Sequence, residues 1–267
     1  MKKNLMACVT CFSILISTSL NIVQAKETPN NQSNKTKIQY IDKTPFLNKI
    51  KQEDKKAGYS DFYKSFKPTD KNHDEKLKNF ENKLDKLNKK DGLKSDSSIS
   101  MGRSGGGGSY SNPLNMDRVL DGSTLLVNNP GFHMQGSIQH CGMLDKAKFS
   151  SYSSKCILTA EPNEGVIYES PNHFRTYDES WALVYTANET YDADQQTHAV
   201  RYARKFLGNT YFWAASLSSD KLWYCSKIPY RAILDRCGTD INTNGCATCL
   251  PSDILESHKM EITSYWN

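Results

Sequence analysis

Apolar positions follow two different rhythms along this chain. In the first third, Leu77, Phe80, Leu84 and Leu87 recur at three-to-four spacing behind the candidate cap Asp74, and Phe46, Leu47 and Ile50 form a weaker set of the same kind. Both predict short helices. From Val119 the rhythm changes to short apolar runs separated by turn residues, the signature of strands. Thr124 to Val127 is the first, entered through the turn Asp121-Gly122. Ser137 to Leu144 is the second, and Cys156 to Glu161 the third, which turns through Pro162-Asn163-Glu164-Gly165 into Val166-Ile167-Tyr168. Trp181 to Tyr185 is the fourth. Helical spacing returns at Ala199, Ala203, Phe206 and Leu207, closed by Gly208 as a C-cap, and at Ile228, Ala232 and Leu234 after Cys225. Strands mixed with helices in this order predict an α+β fold.

The flanking segments divide the chain. Lys2 and Lys3 precede an apolar run from Met6 to Val23 that ends in Val23-Gln24-Ala25, a small-x-small cleavage pattern. Residues 1–25 therefore read as a secretory signal peptide, removed after Ala25 together with Cys8 and Cys11, which predicts a secreted or cell-envelope protein. Residues 26–111 are rich in Lys, Asn, Asp and Ser and close on the Gly/Ser run from Ser104 to Ser109. So polar a segment buries too little apolar surface to form a globular unit, and a partly helical, solvated stalk is expected, with docking on a partner or on the envelope as the sharper alternative. Residues 112–267 are left as the globular domain. Net charge supports the division. Residues 26–101 hold 18 Lys against 12 acidic residues, more than the +5 of the whole chain. The basicity belongs to the tail, which suits anionic wall polymers or lipid headgroups, and the globular part lacks the basic surface that nucleic acid requires.

Within the globular part, Cys225 stands at the entrance to a predicted helix. There the unsatisfied N–H groups and the positive end of the helix dipole favour the thiolate. A buried cysteine serves equally well as a small hydrophobe, so a nucleophilic role requires a base. His140 lies in the second strand, where alternation places Ile138, His140 and Gly142 on one face and turns Cys141 away from any site that His140 lines. Glu161 ends the third strand, and a carboxylate there needs a partner. It or Thr159 could orient the imidazole.

The order of parts resembles a known family. Leu120-x-Gly-x-x-Leu-Leu126, His140-x-Gly-Met143, Thr159-Ala-Glu-Pro-x-x-Gly-Val166, Leu207-Gly-Asn-Thr-Tyr211, Tyr224-Cys-Ser-Lys-Ile228 and Pro251-Ser-Asp-Ile-Leu255 are similar to the motifs of the YiiX/YebB-like branch of the NlpC-type cysteine hydrolases, over most of residues 118–258. The resemblance implies a circularly permuted papain-like fold in which the histidine precedes the cysteine, with a small antiparallel sheet or half-barrel against helices. It also implies Cys225 as nucleophile, His140 as general base and then acid, Glu161 as orienter, and Tyr211, Ser226 and Thr159 lining the site. Two departures stand out: Thr159-Ala160 occupies the place of the family's Glu-Ala, and Gly122-Ser123 that of its Gly-Asp.

The implied substrate is a cell-wall peptide, or an acyl lipid in the manner of some permuted relatives. No cofactor or metal is expected, and a non-catalytic envelope-binding module is the alternative. Loops 132–137 and 214–222 would set specificity. Five further cysteines remain. Cys141 with Cys156, and Cys237 with Cys246 or Cys249, could form disulfides in an exported protein. A metal site on Cys237, Cys246, Cys249 and His258 is the rival use. His73, His133, His173 and His198 read as solvated or structural.

Overall fold

Nine strands and seven α-helices make up the computed structural model, which describes residues 38–93, 110–187 and 190–267. The signal-peptide reading and the Gly/Ser run fall outside those residues. The N-terminal part forms α1 (Thr44–Ala57), α2 (Tyr59–Ser65) and α3 (His73–Lys90). In chain order there follow β1 (Thr124–Asn128), β2 (His140–Leu144), β3 (Ile157–Glu161), β4 (Gly165–Glu169), α4 (Pro171–Phe174), β5 (Glu179–Ala187) and β6 (Thr190–Tyr191). The C-terminal part holds α5 (Ala193–Ala203), β7 (Thr210–Tyr211), β8 (Leu222–Trp223), α6 (Lys227–Cys237), α7 (Pro251–Glu256) and β9 (Met260–Trp266).

The main sheet runs β4-β3-β2-β1-β5, all antiparallel, with β6 and β9 both also pairing antiparallel with β5. β1 and the centre of β5 are buried on both faces, which is why they read as continuous apolar runs and not as alternating ones. Leu126, Cys141, Trp181 and Leu183 point to the face covered by α6 and α7, where they meet Ile233, Ile254 and Leu255. Met143, Leu158 and Val166 meet Ala199, Val200 and Ala203 of α5. Leu125, Val127, Leu144 and Ile157 fill the opposite face with Phe174 and Trp266.

Two features of the sheet shape the site. The β2–β3 ladder covers only Met143↔Leu158 and Leu144↔Ile157, so the strands part at the His140–Cys141 step. Gly142 keeps them in contact below that opening. A Cβ there would come within 2.6 Å of Ile157 Cγ2 and 3.0 Å of Leu158 O.

Of the segment expected to be a solvated stalk, the helices within residues 38–93 are instead packed onto the rest of the protein. Phe46 lies against Trp181 and Tyr265, Ile50 joins the apolar cluster of α6 and α7, and Tyr59, Phe62, Tyr63, Phe80 and Leu84 form a cluster with Phe132, Met134 and Leu250. Composition hid this because the lysines occupy only the outward faces of the helices, leaving one apolar stripe on each. Helix α5 also stops short of its predicted C-cap. It ends at Ala203, and Gly208, left-handed at φ 79°, donates its N–H to Val166 O.

All six cysteines among the described residues are free thiols, so neither predicted disulfide is formed. The β2–β3 register sets Cys141 and Cys156 several residues apart along the strands and in the clusters of opposite sheet faces, beyond the reach of a disulfide. No helix among the described residues is long and apolar enough to cross a membrane.

Candidate active site

Cys225 immediately precedes Ser226, the residue capping α6. It is 3% exposed, and His140 at the start of β2 is 6% exposed. The thiol hydrogen-bonds to the His140 side chain and to both the thiol and the backbone N–H of Cys141. The expectation that Cys141 points away from the site is therefore wrong. Alternation fixes its direction relative to the sheet, but Cys225 enters where the β2–β3 ladder has opened and meets His140 and Cys141 together. The hydrogen bond with Cys141, followed by that with His140 and its charge, outweighs burial and holds the Cys225 thiol well below its usual range.

The other edge of the His140 ring is crowded with acceptors. Its Nε2 lies 3.0 Å from Glu161 Oε1, 3.2 Å from Glu169 Oε2 and 3.2 Å from Thr159 Oγ1. Thr159 spends its own proton on Cys141 O at 2.7 Å, so toward the ring it can only accept. With Nε2 committed to these groups, Nδ1 is the nitrogen left for the thiol. Burial favours a neutral ring, yet Glu161, Tyr177 and Glu169 prevail and hold His140 protonated well above the ordinary histidine range. The two carboxylates part company. Burial pushes Glu161 up to about 8, and its Oε2 is buried without a hydrogen-bond partner. Glu169 resists the same burial through its hydrogen bond with His140 and stays below the usual range, with its second oxygen 3.7 Å from His173 Nδ1. Both carboxylates face the same ring nitrogen, and Glu169 is the one its surroundings hold more firmly ionised.

Phe174 and Tyr177 close the ring in, at centroid distances of 5.5 and 6.3 Å. Tyr211 stands within electrostatic reach of Cys225 and hydrogen-bonds to Gln135. Ser226 is turned away from the chemistry, its hydroxyl donating to Cys249 O at 2.7 Å. The structure therefore brings together Cys225, His140, Glu161, Thr159 and Tyr211, and adds Cys141, Glu169, His173 and Tyr177. Glu169 was within reach of sequence reasoning. Counting in twos along the β3–β4 hairpin from Glu161↔Gly165 to Ile157↔Glu169 puts it on the face of Thr159 and Glu161.

The donor atoms of His140, Glu161 and Glu169 lie within 4.8 Å of one another, the one grouping among the described residues compact enough for a metal ion. Cys237, Cys246, Cys249 and His258 do not form such a group.

No protein-family profile matches the chain, and no curated protein matches it. Among solved structures it is similar to the crystal structure of metalloprotein YiiX from Escherichia coli O157:H7, at 12% identity and a TM-score of 0.43, over 55% of this chain and 97% of that one.

Proposed function

We propose that this chain is an exported thiol hydrolase that cleaves an acyl or amide bond through Cys225, with a permuted papain-like order of residues and cell-wall peptide as its substrate class. The observation that carries the reading is the meeting of Cys225 and His140, 85 residues apart in sequence. The thiol is biased toward thiolate while carboxylates hold the far side of the imidazolium. An unused buried cysteine would show the opposite bias, as Cys156 does, its thiol pushed up to about 12 by burial.

In the first step the Cys225 sulfur forms a bond to the substrate carbonyl carbon, and the electron pair of the C=O moves to oxygen. The backbone N–H of Cys225 is the donor offered to the negative charge that develops, since the Lys227 and Ile228 N–H groups of the first turn of α6 are taken by Tyr224 O and Cys225 O and Pro229 has none. The C–N or C–O bond then breaks as His140 gives its Nδ1 proton to the leaving group. Water attacks the thioester carbonyl as His140 takes its proton, and the C–S bond breaks to release the acid and return the Cys225 thiolate. Glu169 and Glu161 keep the ring in place through both steps.

The experiment compares purified wild type, Cys225→Ala and His140→Ala on peptidoglycan fragments and, in parallel, on phospholipid vesicles. Release of new termini or acyl groups by the wild type, with a loss of about 10³-fold or more in either variant, is expected for a residue of this kind. Release from lipid alone moves the substrate class to acyl lipids. Full activity in Cys225→Ala ends the hydrolase reading and leaves the envelope-binding module.

A further inference from the structure

The N-terminal helices hold most of the loop that leads into His140. Asn88 of α3 brackets Phe132, its Nδ2 donating to Phe132 O at 3.1 Å and its Oδ1 accepting from Phe132 N at 2.8 Å. Tyr59 donates to His133 O at 2.7 Å. Tyr63 donates to Met134 O, and Ser137 donates to Asp54. Gln135, the remaining side chain of this loop apart from Gly136, is bonded to Tyr211. Four of the six residues from 132 to 137 are therefore gripped by α1, α2 and α3, three positions upstream of the base.

The same helices approach the nucleophile. Tyr63 is 6% exposed and lies within electrostatic reach of Cys225, Cys246 and Asp253. Its ring stands edge-on to Trp213 at 6.4 Å, while Phe66 packs on Trp213 at 5.3 Å. Phe66, Tyr211 and Trp213 are half-buried, so the aromatic row reaches solvent at that end and turns inward at Tyr63. The corner that aims Tyr63 inward depends on Gly58, left-handed at φ 73°, which ends α1 by donating to Asp54 O and accepts from Phe62 N to begin α2.

We propose that α2 forms one wall of the substrate cleft, with Tyr63, packed on Trp213 and bonded to the loop that leads into His140, as the specificity-determining residue, so that an acyl group reaches the sulfur only past the Tyr63 ring. This rests on Cys225 being the nucleophile. The row Phe66–Trp213–Tyr63 offers apolar ring faces and no formal charge, which fits an uncharged aliphatic or ring-bearing group flanking the bond to be cleaved. The N-terminal segment is then part of the site.

The test follows alkylation of Cys225 in the full chain by iodoacetamide, read peptide by peptide by mass spectrometry, with Cys156 and Cys249 as internal reporters of unfolding. Wild type is expected to react slowly, because both thiol and base are enclosed. Tyr63→Ala should speed labelling of Cys225 about tenfold, with Cys156 and Cys249 still protected, as local opening without global unfolding requires. Tyr63→Phe keeps the ring and loses only the bond to Met134 O, and should give a smaller increase. If Tyr63→Ala unfolds the protein, labelling Cys156 as well, Tyr63→Phe and Phe66→Ala decide in its place. Rates indistinguishable from wild type in the folded variants overturn the proposal. Adding His140→Gln to Tyr63→Ala separates the two readings. A fall in the accelerated rate ties the thiolate to His140. An unchanged rate sinks the catalytic pairing and leaves the Tyr63 barrier standing.

Discussion

Three acceptors converge on one ring nitrogen of His140, and they are unequal. Glu169 has one oxygen hydrogen-bonded to His140 and the other 3.7 Å from His173 Nδ1. Glu161 has one oxygen buried without a partner, a position in which a charge would cost far more than a neutral carboxyl. Glu169→Gln should therefore lower kcat by about 10²-fold or more, with circular dichroism unchanged, and shift the pH dependence of Cys225 alkylation to higher pH. Glu161→Gln, at the carboxyl that burial makes easier to protonate, should cost less, roughly tenfold. The reverse order would make Glu161 the orienting anion. Cys141 belongs to the same scale. Cys141→Ala removes the foremost support of the thiolate, so alkylation of Cys225 at neutral pH should slow while the alkaline limit stays near wild type.

Among the elements, β2, β3 and α6 place the chemistry, and two residues make that placement possible. Gly142 allows β3 to approach so that Thr159 and Glu161 reach His140. Gly142→Ala should lower stability in urea by about 1–3 kcal/mol, the usual cost of overpacking, and lower activity with it. Lys227, the first residue of α6, is fully buried, and its ammonium donates to the carbonyls of Ser216, Ser219 and Leu222. It ties loop 214–222 to the helix that carries the nucleophile. Lys227→Met fills the space but leaves three carbonyls without a donor, so faster hydrogen exchange across residues 214–222 is expected.

At the scale of the molecule, the docking of α1 depends on pH. Burial raises Glu53 to about 7 and Asp54 to about 6. Acids whose folded values lie above their unfolded ones leave the native state holding more protons than the unfolded state through that window. Stability contributed by this region is thus full near pH 4 and falls as pH rises to about 7, after which it levels off. Thermal unfolding from pH 4 to 8 should show that decline, and Glu53→Gln with Asp54→Asn should flatten it. An unchanged slope would place its origin elsewhere, with Asp253, raised by burial to about 8, the next group to replace.

Periodicity alone was enough to identify α1, α3, β1 to β5 and α6, because each is a local consequence of side-chain spacing, while the roles of the site residues were implied by the family resemblance. Thr124 to Val127 had to be a buried strand, and Leu77 to Leu87 one face of a helix. Cys225, His140 and Glu161 could be named because each stood at the edge of such an element. Strand β9 escaped, since Met260 to Trp266 alternates only loosely and is fixed by pairing with β5 across a bulge at Ala182/Leu183. What only the tertiary structure decided was which faces meet. It opened the β2–β3 ladder at His140–Cys141 and brought Cys141 to the thiol. It brought Glu169 to the His140 ring and folded the lysine-rich helices over loop 132–137, with Tyr63 bonded to Met134 O and packed on Trp213. These are contacts between residues distant in sequence. Spacing along the chain gives each side chain a direction within its own element, but the neighbour it meets depends on how the elements pack.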